Sequence, residues 1–364
     1  MPAKTTNKEV LPRQIALAAA FLLPTGKLLE LPSLLARYAA GDILLPALLH
    51  FLTQTLLLLA IISVAVSSKY TLCERLERTL GKFTFPLYLL FAAYYLFAAA
   101  LPLLDLEKFV YAAFYDTAPT TFSFALFFLF AAFVCAKGLK TLGRFADFCV
   151  WLFPLPFLAL ILLSSTAADY TRLLPLFGSD VNAVAQGFYR STPHFSDVAL
   201  LLPLIANCRF RKNDGIKVVC GYGAGAVLTC LFLAAFYAVY GSIAPREHYA
   251  FVKIAQYFPA LAVLGRVDLL LSYIVSIVLF VYTATPLSYA CECLARNVPT
   301  ARKTLLSALL LFVLFFLVLY LNKYYNAFYE IISGKLPPLF FLFADFLPLL
   351  ALFLGVRKEG SNAD

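Results

Sequence analysis

Ser191, Thr192, Pro193, His194, Ser196 and Asp197 set hydroxyls, an imidazole and a carboxylate in one short run, directly after Arg190. A second polar run is Thr25-Gly26-Lys27, with Glu30 three residues further on. Neither has the make-up of a bond-making centre. No paired carboxylates, Ser-His-Asp set or metal cluster converges at one depth, so no catalytic residue is assigned and an enzyme is not expected. The eight cysteines form no CxxC pair, and Cys291-Glu292-Cys293 is too weak a spacing for a metal site. No cofactor is expected either. What these runs offer is recognition: hydroxyls and loosened backbone to hold a small ligand, and charges to neutralise or gate it.

The surrounding chain decides where such a site must lie. Of the residues, 62% are hydrophobic and 13% charged, with a mean hydropathy of +0.86. No soluble core needs that much apolar surface, so the sequence implies an all-α protein that crosses a lipid bilayer many times. The net charge of +9 follows membrane topology and does not indicate nucleic acid. The first apolar run has no small-residue cleavage site and holds a break of its own, so it is not expected to be a signal peptide.

About ten stretches have the length a bilayer demands. They are 11–38, interrupted at Pro24-Thr25-Gly26-Lys27; 43–66; 83–104; 122–134; 145–163; 182–207, interrupted at Ser191 to His194; 216–240; 267–291; 305–321; and 337–356. A basic loop with Lys69, Arg75, Arg78 and Lys82 joins the second and third. Asp105, Glu107 and Lys108 are expected to mark the far interface of the third. The whole reads as one membrane domain, 11–356, in halves of about 11–164 and 182–356, between short tails at 1–10 and 357–364. Lysine and arginine concentrate in alternate connecting segments, which places both termini in the cytoplasm.

The two interruptions correspond. Each falls about halfway along its span, and five spans separate them, so the second half would lie inverted on the first. Broken helices 1 and 6 in two inverted five-helix halves describe the LeuT-like architecture of the amino acid–polyamine–organocation superfamily. Proline removes a backbone donor and disfavours helix before it. Freed backbone at membrane depth is tolerated only where protein or a watery cavity satisfies it. Half-helix ends suit a carboxylate and free carbonyls suit an ammonium, so a small zwitterion such as an amino acid is the expected ligand. Candidate contacts are Thr25, Gly26, Ser191, Thr192 and His194, with Tyr282 and Thr285 lining or gating the cavity from the eighth span. The alternative is a proline kink with satisfied polar neighbours.

Lys27, Glu30, Arg190 and Asp197 are the candidate coupling or gating charges, because intramembrane charges are expensive. Lys27 and Glu30 either pair on one helical face, or Lys27 supplies a cation where sodium-coupled relatives hold an ion. Arg190 and Asp197 either pair or form a proton-linked gate. His194 titrates near neutral pH or is simply hydrogen-bonded. His50 and His248 carry no reading.

Several stretches, in order, resemble the spore germination permease family, the B-type (GerAB-like) subunits of nutrient germinant receptors. They are Gln14; Thr25-Gly26 leading to Leu31-Pro32; Ala39-Ala40-Gly41-Asp42; Gly143-Arg144-Phe145-Ala146-Asp147 with Phe153-Pro154; Leu173-Leu174-Pro175; Pro193 followed by Asp197; and Arg266-Val267-Asp268. The resemblance implies an amino-acid-permease-like fold and residence in the spore inner membrane, or a bacterial cytoplasmic membrane. It also implies A-type and C-type partner subunits and a part in sensing germinants, typically amino acids. An amino acid transporter, proton-coupled or exchanging, is the second reading, and a structural or ion-conducting subunit the third. The charges Lys27 and Glu30 and the spacing His194-Phe195-Ser196 depart from the family pattern.

Overall fold

The computed structural model describes residues 10–67, 70–114, 120–175, 177–211, 213–256, 267–298 and 302–349. The tails read from the sequence fall largely outside them, as does Arg266. Helices and no strands occur among the described residues. In chain order they are α1 (Pro12–Leu17), α2 (Leu31–Ala39), α3 (Leu44–Ser67), α4 (Leu72–Leu80), α5 (Thr84–Phe114), α6 (Thr120–Lys137), α7 (Leu139–Leu152) and α8 (Pro154–Ser164). The second half holds α9 (Val181–Ser191), α10 (Asp197–Ala206), α11 (Asp214–Tyr240), α12 (Ala250–Gln256), α13 (Val267–Asn297), α14 (Lys303–Lys323), α15 (Tyr325–Gly334) and α16 (Pro337–Leu349).

Among the described residues, six helical stretches are long and apolar enough to cross a membrane: α3, the run Leu72–Phe109, α7 with α8, Asp214–Arg246, the greater part of α13, and α14. Helices α15 and α16, bent by 64° across a short break, make a seventh if counted as one span.

Three features differ from the sequence reading. The basic loop between the second and third spans is helical: α4 starts at a capping box in which Thr71 Oγ1 accepts from Glu74 N and Glu74 returns to Thr71 N. The third span does not end near residue 104. Helix α5 runs on to Phe114, and Asp105 and Glu107 are buried within the protein. Helix α15 was not anticipated at all.

Both interruptions are present. After α1 the chain passes through a π-helical turn, Ala18–Leu22, and a short helical turn, Leu23–Thr25. It then leaves helical structure until α2. Pro24 has no N–H to continue the ladder, and Pro32 sits in the first turn of α2, where its missing donor costs nothing. In the second interruption α9 tightens into a 3₁₀ turn, Thr192–Phe195, and Ser196 (φ −77°, ψ 43°) turns the chain before α10.

Helix α11 lies directly on the first broken stretch because two glycines let it. A Cβ on Gly221 would stand 2.3 Å from Ala16 O, and one on Gly225 2.4 Å from Ala19 O. Small residues four apart are the usual means by which membrane helices bring backbones together. Helices α2 and α9 pack on each other, and α9 also packs on α3. The loop ahead of α9 is tied to the end of α2, where Asp42 accepts from Phe177 N (2.7 Å) and Ser179 N (2.6 Å). Burial alone would raise the Asp42 carboxyl, but these donors more than offset it and hold it below the usual carboxylate range.

Candidate functional site

The two breaks face one another, and Lys27 joins them. Its ammonium pairs with Asp197 Oδ1, and both side chains are only 1% exposed. The second Asp197 oxygen accepts from Tyr222 of α11 at 2.9 Å. Lys27 Nζ also lies 5.1 Å from the Phe195 ring centroid and 6.0 Å from that of Phe51. A buried ammonium is thus neutralised by a carboxylate and flanked by aromatic faces, which meets the condition for keeping charge away from water.

The Lys27–Glu30 pair considered from the sequence does not form. Three-residue spacing brings side chains together only on a helix, and the backbone from Gly26 to Glu30 is not helical. Glu30 instead holds His248 Nδ1 at 2.9 Å, leaving its Oε1 buried without a partner. Arg190 and Asp197 do not pair either. The Arg190 guanidinium lies 4.7 Å over the Tyr38 ring.

The hydroxyls of the second break are engaged in its own repair. Thr192 N–H turns to Tyr189 O, which frees the carbonyl of Phe188. Ser191 Oγ (3.2 Å) and Thr192 Oγ1 (3.3 Å) donate to that oxygen. His50 Nε2 reaches it at 2.8 Å; since a carbonyl only accepts, this nitrogen carries the proton. The His50 ring is stacked between Phe188 and Phe195, at 4.0 and 4.3 Å. Beyond the break, Val198 N–H donates to Gln54 Oε1 (3.0 Å), and the Gln54 amide donates onward to Asp345 of α16 (2.9 Å). Thr25 and Thr285 likewise donate to carbonyls of their own helices, Phe21 O and Val281 O, both at 2.7 Å.

A cavity opens beside the breaks. Its walls include Gly26 of the first, Pro193, His194 and Ser196 of the second, Tyr94 and Asp105 of α5, and Tyr282 of α13. It is narrow, with room for about three water molecules. Of the seven ligand contacts read from the sequence, Gly26, His194 and Tyr282 are among its walls. Thr25, Ser191, Thr192 and Thr285 are not. Gly26 packs closely on Tyr282: a Cβ there would lie 2.2 Å from Tyr282 Cζ, so the ring would have to move. The hydroxyls of Tyr94 and Ser196 are close enough to act on each other, yet neither has a partner of good hydrogen-bond geometry. His194 Nε2 is 3.5 Å from Tyr329 Oη, and Tyr325 donates to Asp105 Oδ1 at 3.1 Å, so α15 touches two residues of the wall.

On α10, Tyr95 Oη donates to Ala199 O (2.8 Å) and Tyr289 Oη to Leu200 O (2.7 Å). Pro203 explains the first bond. It has no N–H to give to the carbonyl four residues back, and Tyr95 supplies the missing donor. His50, Gln54, Asp105, His248 and Asp345 are parts of this centre that the sequence reading did not place.

A family model described as "Spore germination protein" matches residues 19–326. The chain belongs to that family. No curated protein matches it. The family match begins within the first interrupted stretch and ends in α15, so both breaks, the Lys27–Asp197 pair and most of the cavity wall fall inside it. Tyr329 and Asp345 fall beyond. As a spore germination permease the chain is an integral, multi-pass membrane protein of a receptor and permease family, and not of an enzyme family.

Proposed function

We propose that this spore germination permease is the membrane subunit of a nutrient germinant receptor, and that it takes a small germinant, an amino acid first, in the cavity between its two broken helices. The observation that carries this is the buried Lys27–Asp197 pair, which locks one break to the other beside a cavity whose mainly apolar wall carries Asp105, His194 and Ser196. The architecture fits a LeuT-like arrangement of ten crossings in two inverted halves. The six long stretches, the bent pair α15–α16, the two interrupted stretches and the shorter α6 make that number. Both termini then face the cytoplasm, in the spore inner membrane, and A-type and C-type subunits carry the bound state onward.

A transporter of the same fold is the second reading, favoured by the cavity's place beside the two breaks, where transporters of that architecture hold their substrates. Affinity isolation of the tagged chain from spore membranes separates the two. Co-isolation of A- and C-type subunits, with no amino acid flux into liposomes, is expected. Isolation of the chain alone, with flux, would sink the receptor assignment in favour of the transporter.

A further inference from the structure

Resting on that reading of the cavity, we propose that Asp105 is its ammonium-recognising group, so that the ligand is a compact molecule bearing a primary amine. Asp105 is buried, at 6% exposure, yet lines the cavity. It is the only carboxylate among the described lining residues, and no lysine or arginine joins it there. Its one hydrogen bond among the described residues comes from the neutral hydroxyl of Tyr325. Lys108, one turn on, does not pair with it but lies 5.5 Å over the Tyr325 ring.

A carboxyl so placed contrasts with Asp197, which has its lysine. Burying a carboxylate without a cation is expensive, and an ammonium entering the cavity removes that cost. The hydroxyls of Tyr94 and Ser196, in the same wall, provide further polar groups for the ammonium or for a carboxylate beside it. The size of the space sets the rest. Room for about three waters, each taking about 30 Å³ of liquid volume, suits a molecule as small as glycine or alanine. Nucleosides and sugars lack that ammonium.

The test uses the purified full-length chain and three probes: L-alanine, ethylammonium and propionate. Ligands that bind only the folded state raise its unfolding temperature. L-alanine and ethylammonium are expected to stabilise the wild type and propionate to do so less. Asp105→Asn should weaken both amines by about 10- to 100-fold, the loss expected for one charged hydrogen bond. Asp105→Glu, which keeps the charge, retains the preference for amines and covers the case in which Asp105→Asn fails to fold.

If L-alanine stabilises Asp105→Asn as well as wild type, but not a cavity-filled Ala98→Trp variant, Asp105 is not the ammonium site and the cavity reading stands. If propionate alone stabilises the wild type, the cavity selects anions and the proposal is overturned. If no probe stabilises the wild type, the proposal falls together with the cavity reading.

Discussion

Lys27 and Asp197 form an ion pair across 170 residues of sequence, Lys27 standing within the first break and Asp197 just past the second. Among the described residues no other ion pair ties the two interruptions. Removing one partner leaves a buried charge alone, which costs about 3–5 kcal/mol. Lys27→Met or Asp197→Asn should therefore each destabilise the protein on that scale, whereas the double variant should be milder than the two losses added together. Denaturation of the four proteins in one detergent gives the coupling. Strict additivity would show that the pair does not act as a unit.

Gly26 and Tyr282 make a second, steric relationship. Gly26→Ala places a methyl within the van der Waals radius of the Tyr282 ring, so it should lower stability and close the cavity. Tyr282→Leu in the same chain should restore stability. The rescue is read from unfolding temperatures, and its absence would place the strain elsewhere.

Tyr95→Phe removes the donor that replaces the missing N–H of Pro203. Ala199 O is then buried without a partner, at a cost of about 1–3 kcal/mol. The same change in a Pro203→Ala background, where the helix supplies its own N–H, should cost less. Equal losses in both backgrounds would mean that Tyr95 acts through packing alone.

The Glu30–His248 tie is sensitive to pH. The hydrogen bond from His248 to Glu30 raises the imidazole above its ordinary value, against partial desolvation that lowers it. A raised folded-state pKa means that the stabilisation is complete below the unfolded value of about 6.5 and fades as pH rises through the folded one. The stability difference between wild type and His248→Gln should thus be constant in mild acid and shrink in base. A difference that grows with pH would contradict the charged pair. The effect is modest, since the His248 side chain is 54% exposed.

The breaks were legible in the sequence because proline and glycine interrupt helices by local chemistry alone, and Pro24, Gly26 and Pro193 stand inside apolar runs. Pairing was not legible. Lys27 and Glu30 have helical spacing, but the same Pro24 and Gly26 that break the helix abolish the geometry on which that spacing depends. Asp197, the true partner, could be found only through tertiary structure. Asp105 was read as interfacial because the apolar run before it is already a bilayer long; α5 continues past it and buries it. His50 gave no signal, since only the fold sets its ring between Phe188 and Phe195. One signal was present and went unread: Thr71 and Glu74 have the capping-box spacing that starts α4.

The central claim is that ligand binds in the cavity between the two breaks, and its most direct test is equilibrium binding of radiolabelled L-alanine to the purified chain and to Ala98→Trp. Ala98 lines the cavity, and an indole there fills it without touching the Lys27–Asp197 pair. The account predicts saturable binding to the wild type and none to a folded Ala98→Trp protein. Binding of equal affinity to both would place the site elsewhere in the molecule.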